Sequence, residues 1–318
     1  VKLGTAGATV KSFTDKTAKE GVKYKYTVTA ISDYGSSVAS SGKVLRRLAQ
    51  PVVTIENANG AIKGKWNQVT GATNYAVYRS EFVDGAWTKW KKLGTAGATA
   101  KSFTDKTVKS GVNYKYTVKA INGGSKSSVG ASNNVVYLAR PEPTAVNSIY
   151  GVKINWNAVS GAESYIVYRK TSVNEQWSEW QQIGTSSTNS YIDSTAVNTG
   201  KYKYTVHAVN GNSLSARKAS AAMRCVTTPT TTAVASGTAI TLSWNEIPGA
   251  TKYVVYRQVL GADGKWSAST KIASLKGALA FSDTTAPAGS TYRYKVYAYN
   301  GKTKSSAVFT DGILIPIA

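Results

Sequence analysis

Apolar and polar residues alternate with a period of two along much of this chain. Ile240, Leu242 and Trp244 are separated by Thr241 and Ser243. Val152, Ile154 and Trp156 follow the same rule, as do Tyr75 and Val77 against Ala76 and Tyr78. Tyr114, Tyr116, Val118 and Ala120 alternate with Lys115, Thr117 and Lys119. Successive side chains of a strand point to opposite faces, so each run predicts a strand with one buried side. Clusters of Asn, Gly, Ser and Asp punctuate the runs, and no stretch of ten or more residues carries a helical period. Many short strands at regular spacing predict an all-β chain of two-sheet sandwiches.

The strands recur as a set. LGTAGATVKSFTDKTAKEGVKYKYTV at 3–28 returns as LGTAGATAKSFTDKTVKSGVNYKYTV at 93–118. Weaker copies lead to Tyr202–Val206 and Tyr292–Val296. Trp66, Trp156 and Trp244 are each followed by a Gly-Ala step and a Tyr-x-Val-Tyr-Arg run ending at Arg79, Arg169 and Arg257. Pro51, Pro141 and Pro229 stand at the joints, and Pro316 closes the last unit. A period near ninety is too long for a solenoid and suits a self-contained small domain. The expected division is a C-terminal half-repeat over 1–48 and whole repeats over 49–138, 139–226 and 227–318.

A Trp in an early strand, then G-A-x-x-Y-x-V-Y-R, then Y-x-Y-x-V-x-A and a Gly/Ser-rich turn resembles the fibronectin type III pattern. More narrowly, it is similar to the repeats of secreted and surface proteins of Gram-positive bacteria. The resemblance implies tandem immunoglobulin-like sandwiches in an extended array. It places Trp66, Trp156 and Trp244 in the core on strand B. It makes Tyr24, Tyr114, Tyr202 and Tyr292 corner tyrosines at the start of strand F, each bonded to backbone a few residues upstream. The family's L-x-P before that corner is absent here.

Formal net charge is +23, shared as +6, +8, +4 and +5 over the four segments. A charge excess spread along an array favours contact with extended polyanions such as acidic glycans or wall polymers. Lys25, Lys115, Lys203 and Arg293 occupy one outward position of strand F. Tyr78, Tyr168 and Tyr256 point outward from the neighbouring strand C, with Arg79, Arg169 and Arg257 next in sequence. The expectation is a face of cationic stems lying on tyrosine rings with the charges, those three arginines included, held outward. The same pattern also describes a solvated sheet face that resists edge pairing.

Trp87 and Trp90, and likewise Trp177 and Trp180, fall between the strands after each Tyr-Arg run; the last repeat keeps Trp266 alone. Such indoles either stack on sugar rings or cover the sheet and close the sandwich end. Asp15, Asp105, Asp193 and Asp283 recur with a Thr two residues on, which fits a turn in which Asp accepts backbone N–H groups. No second carboxylate recurs beside them to make a calcium or glycosidase pair. His207 takes the place of Thr29, Lys119 and Tyr297 and is expected on the surface. Cys225, the single cysteine, is expected as a buried structural thiol.

No catalytic, metal or cofactor constellation is expected, and no phosphate loop or nucleophile elbow occurs. No apolar run reaches membrane-span length, and no specific nucleic-acid reading motif is found. Residues 1–48 lack the Trp-bearing and Tyr-Arg strands. Either the segment belongs to a longer chain, or another chain supplies the strands by complementation. The reading is a structural spacer or adhesive array, extracellular or on a bacterial cell surface. Two alternatives stand: a module for anionic polysaccharide or wall polymer, and a non-catalytic accessory region of a polysaccharide-degrading enzyme. Short joints stiffened by proline point to an extended rod.

Overall fold

The computed structural model describes residues 1–317. Within them all regular structure is β, in antiparallel pairings. The chain divides into two compact units, Val1–Ala139 with Asn210–Ala216, and Arg140–Val209 with Arg217–Ala318.

In the first unit the second repeat is a complete sandwich. One sheet orders Ser102–Asp105, Ala61–Trp66 and Val53–Ala58. The other centres on Asn74–Val83 and Asn113–Asn122, paired over nine residues, with Lys91–Gly97 on one flank and Val135–Val136 on the other. Trp66, Tyr75, Tyr114, Tyr116 and Val118 fill the space between the sheets. Trp66 lies against Tyr75 with centroids 5.4 Å apart, and Phe103 packs on Tyr116 at 4.9 Å. Phe103 pairs across the sheet with Gly64, and its ring covers the glycine so closely that a β-carbon there would meet it at 2.0 Å. Leu48 packs forward into this same core.

In the second unit the third and fourth repeats are built alike, around Ser164–Val173 with Lys201–Asn210 and around Lys252–Val259 with Thr291–Asn300. Trp156 and Trp244 are 6% and 5% exposed. Val226 is buried in the fourth repeat's core. Asn198 ties the joint there: its Nδ2 donates to the Pro248 carbonyl at 2.7 Å and its Oδ1 accepts from the Thr227 N–H at 3.1 Å.

Three local devices recur because the sequence repeats. First, the residue after each joint proline donates its N–H to an asparagine: Val52 to Asn67, Glu142 to Asn157 and Thr230 to Asn245. Second, the N–H groups of Val69, Val159 and Ile247 donate to the hydroxyls of Tyr75, Tyr165 and Tyr253. These buried donors would otherwise be orphaned. Third, the corner hydroxyls of Tyr24, Tyr114 and Tyr202 accept from Lys19, Lys109 and Val197 N–H at 2.6, 2.9 and 3.0 Å. In the fourth repeat the partner position is Pro287, which has no N–H. The Tyr292 hydroxyl turns donor and reaches the Pro287 carbonyl at 3.1 Å.

The half-repeat keeps little of this. Only Lys23–Lys25 with Val44–Arg46 and Ile31–Ser32 with Gly35–Ser36 pair as strands there. It meets the second repeat through the Arg46 N–H, which donates to Ser125 Oγ at 2.7 Å.

Candidate ligand-binding face

A tight hairpin places the first tryptophan of each pair. Asp84 and Gly85 both have positive φ, as do Asn174 and Glu175. Two such residues form the two-residue turn whose twist matches that of the strands. The turn sets Trp87 opposite Phe82, rings 5.3 Å apart, and Trp177 opposite Ser172. The fourth repeat reaches the same place by a longer loop, with Trp266 bridged to Leu260. After the hairpin the returning strand bulges opposite the Val77–Tyr78 step, and opposite Val167–Tyr168 and Val255–Tyr256 in the other domains. The bulge lets Leu93 pack on the core while Lys92 pairs with Tyr78.

The central strand then brings a cation over each indole. The Lys115 ammonium lies 4.2 Å from the Trp87 ring centroid and 5.6 Å from that of Trp90. Lys203 lies 4.8 Å from Trp177, and the Arg293 guanidinium 4.3 Å from Trp266. Lys119 sits over Tyr78 at 5.6 Å, Arg217 over Tyr168 at 5.2 Å and Lys295 over Tyr256 at 6.0 Å. A cation within about 6 Å of a ring centroid is attracted by the ring's quadrupole. None of Lys115, Lys119, Lys203, Arg293 or Lys295 has a carboxylate within ion-pair reach among the described residues. Trp90 is 39% exposed, whereas Trp87, Trp177, Trp180 and Trp266 are half-buried. Lys25 is exposed and has no ring beneath it among the described contacts.

Arg79, Arg169 and Arg257 do not belong to that face, contrary to the sequence expectation. They share the inward side with Tyr75, Tyr165 and Tyr253, four residues earlier on the same strands. Arg79 Nη1 binds Asp105 and Thr107 at 2.7 Å each, and Nη2 binds Glu81. The Tyr116 hydroxyl donates to the same Asp105 carboxylate at 2.9 Å, and the Arg79 guanidinium lies over the Tyr114 ring at 5.2 Å. Arg169 with Asp193 and Tyr204, and Arg257 with Asp283 and Tyr294, repeat the arrangement. The Asp turn is present as well: the Thr107, Thr195 and Thr285 N–H groups donate to the carboxylates at 2.9, 3.1 and 3.0 Å. Burial opposes the charge of Asp105 and Asp283. Hydrogen bonds from the threonine, the arginine and the tyrosine outweigh it and hold both below the usual carboxylate range. Burial, reinforced by the neighbouring carboxylate, pushes Tyr116, Tyr204 and Tyr294 above the usual phenol range. These groups bind one another through the arginine Nη1, the carboxylate and the phenol, while the buried Nε of Arg79 and of Arg169 has no hydrogen-bond partner.

His207 is half-buried on the outward side, its ring 5.8 Å from that of Tyr168. Cys225 is 2% exposed, and burial pushes its thiol up, away from the reactive thiolate. An open cleft of about 500 Å³ in the second repeat is lined by Arg79, Lys91, Lys92, Lys109 and Tyr114 among others. The third repeat has Gln181, Gln182 and Val197 where those lysines stand. No group of three or more His, Cys, Asp or Glu suited to a metal occurs among the described residues. Among the described residues no helix is long and apolar enough to cross a membrane.

Residues 51–135 match a family model described as the fibronectin type III domain, SaeA third domain. The chain has the fold of tandem fibronectin type III domains. The third and fourth domains carry the same strands, bulge, buried Trp and corner Tyr as the matched one. Exoglucanase B of Cellulomonas fimi is 30% identical over 281 residues, covering 77% of this chain and 24% of that protein. Amylopullulanases of Thermoanaerobacterium saccharolyticum and Thermoanaerobacterium thermosulfurigenes are 30% and 32% identical over 89 residues, which is 7% and 5% of their lengths. The chain therefore spans about a quarter or less of each relative. The chicken CNTN1 FN1-FN3 structure covers 85% of the chain, and the chain all of it, at 16% identity with a TM-score of 0.27.

Proposed function

We propose that this chain is a non-catalytic region of a secreted bacterial protein, a series of fibronectin type III domains that spaces or presents a neighbouring glycan-acting domain. The observation that carries this reading is the long alignment with Exoglucanase B, which runs through successive repeats and covers only 24% of that protein. The chemistry of the chain supports it. The aspartate that recurs in each complete domain is buried in an arginine–aspartate–tyrosine network that holds the fold, and no second carboxylate recurs beside it to make a catalytic pair. Antiparallel strands packed around aromatic cores suit a spacer.

The test is an assay of the purified chain on soluble β-glucan and pullulan, with reducing-sugar release as readout. No release above buffer is expected. Turnover that survives repurification and is abolished by an Asp105→Asn, Asp193→Asn or Asp283→Asn substitution would overturn the proposal.

A further inference from the structure

The outer face of the domains carries a feature that spacing does not require. We infer that each complete domain holds a subsite for a carboxylated polysaccharide, centred on the cation that lies over its hairpin tryptophan. Three observations meet there. The cation recurs although its identity changes: Lys115 over Trp87, Lys203 over Trp177 and Arg293 over Trp266. The hairpins that deliver the indoles differ, a two-residue turn in the second and third domains and a longer loop in the fourth, yet the pair is rebuilt. No Asp or Glu takes an outward position on either central strand of any complete domain, so the cations keep their charge for an outside anion.

The rings decide which anion. Lys115 and Lys203 rest on an indole that screens one side of the ammonium. The Arg293 guanidinium instead lies between Trp266 and Phe309, 4.3 and 4.2 Å from their centroids, with Nε donating to Gln258 Oε1 at 2.8 Å and its Nη groups left to meet an anion. In the second domain Trp90 stands beside Lys115, 5.6 Å from its ammonium and 39% exposed. A uronic acid unit matches this pair: an apolar sugar face for Trp90 and one carboxylate for Lys115. Trp180 with Lys170 at 5.2 Å gives the third domain a similar pair. Trp87 itself is not a bare sugar platform, because Lys115 occupies a face of its ring. Each single contact is weak, and three subsites on one chain raise the overall affinity for a long polymer.

The probe is polygalacturonate, with hydroxyethylcellulose and single-stranded DNA beside it, measured by affinity electrophoresis of the full chain. The chain should be retarded by polygalacturonate, not by hydroxyethylcellulose, and the retardation should fall as salt rises. Lys115→Gln, Lys203→Gln and Arg293→Gln together should weaken it by about tenfold, while Lys63→Gln, Lys65→Gln and Lys153→Gln should change it by no more than about twofold. The second set removes the same charge from exposed positions on the opposite sheets. Trp90→Ala should cut binding severalfold without lowering the melting temperature, and it serves if the triple variant folds poorly. No retardation by polygalacturonate, equal losses from the two triple variants, or DNA retained at least as strongly through the same three residues would each overturn the proposal. Hydrolysis by the chain has no bearing on these outcomes.

Discussion

The stretches 3–28 and 93–118 are almost the same sequence in two different settings. In the second domain the stretch forms the Lys91–Gly97 and Ser102–Asp105 strands and enters Asn113–Asn122. In the half-repeat only Lys23–Lys25 is a strand. Val118 is 0% exposed and its counterpart Val28 is 72% exposed. Phe103 packs between Trp66 and Tyr116, while Phe13 is 56% exposed. The difference is what each stretch has to pair with. The strands Ala61–Trp66 and Asn74–Val83 supply the ladder partners and the opposing layer in the second domain, and the half-repeat contains no equivalent. Strand propensity is a preference for a pleated, half-buried surface, and it is expressed only when that surface exists. Two elements survive the loss: the Tyr24 corner, whose hydroxyl accepts the Lys19 N–H, and the aspartate turn. The Tyr26 hydroxyl still donates to Asp15 at 2.9 Å, and Thr17 still caps the carboxylate. What is missing is the arginine.

Matched substitutions would break this comparison, the largest at that arginine. Arg79→Leu strips Asp105, whose side chain is 2% exposed, of its cation, and should destabilise the second domain by about 3–5 kcal/mol in urea unfolding. Asp15→Asn in the half-repeat should leave the unfolding curves unchanged. Tyr116→Phe removes a hydrogen bond to a buried carboxylate and should cost about 1.5–3 kcal/mol, with Tyr26→Phe near silent by the same measurement. Val118→Ala should cost about 2 kcal/mol through lost burial and the cavity left behind, and Val28→Ala nothing measurable.

Acid sharpens the same contrast. Asp105 and Asp283 have folded pKa values below their unfolded ones. Their contribution is therefore complete above about pH 4, the ordinary carboxylate value, and is lost as pH falls through the lower folded values. Thermal melts from pH 7 to pH 2 should show the second and fourth domains losing stability below about pH 4. The Arg79→Leu variant should show a shallower loss.

The smallest effect separates the corner tyrosines. Tyr202→Phe orphans the Val197 N–H and should cost about 1–2 kcal/mol, whereas Tyr292→Phe leaves only the Pro287 carbonyl without its donor and should cost less than about 1 kcal/mol.

Much of this architecture could be read before the structure. Period-two alternation follows the paired strands, and Trp66, Trp156, Trp244, Tyr114, Tyr202 and Tyr292 are buried, whereas Tyr24 of the half-repeat is only half-buried. The inward arginines were legible too, since Arg79 lies an even number of residues from Tyr75 and Val77. Charge argued for the outside, and only the buried Asp105, delivered by a strand of the other sheet, reverses that argument. The Lys115–Trp87 contact joins residues whose nearness depends on sheet register, which no local pattern records. The contrast between 3–28 and 93–118 lies beyond sequence altogether, because the two strings carry nearly the same local information.

Gly64 carries a lesson for engineering. Its counterparts across the ladder from Tyr191 and Phe281 are Ile154 and Leu242, both fully buried. A consensus built by averaging the repeats would install a branched residue at 64, in space the Phe103 ring already fills. Modules that look interchangeable by alignment are matched sets, and transplanting one member means transplanting its cross-strand neighbour as well.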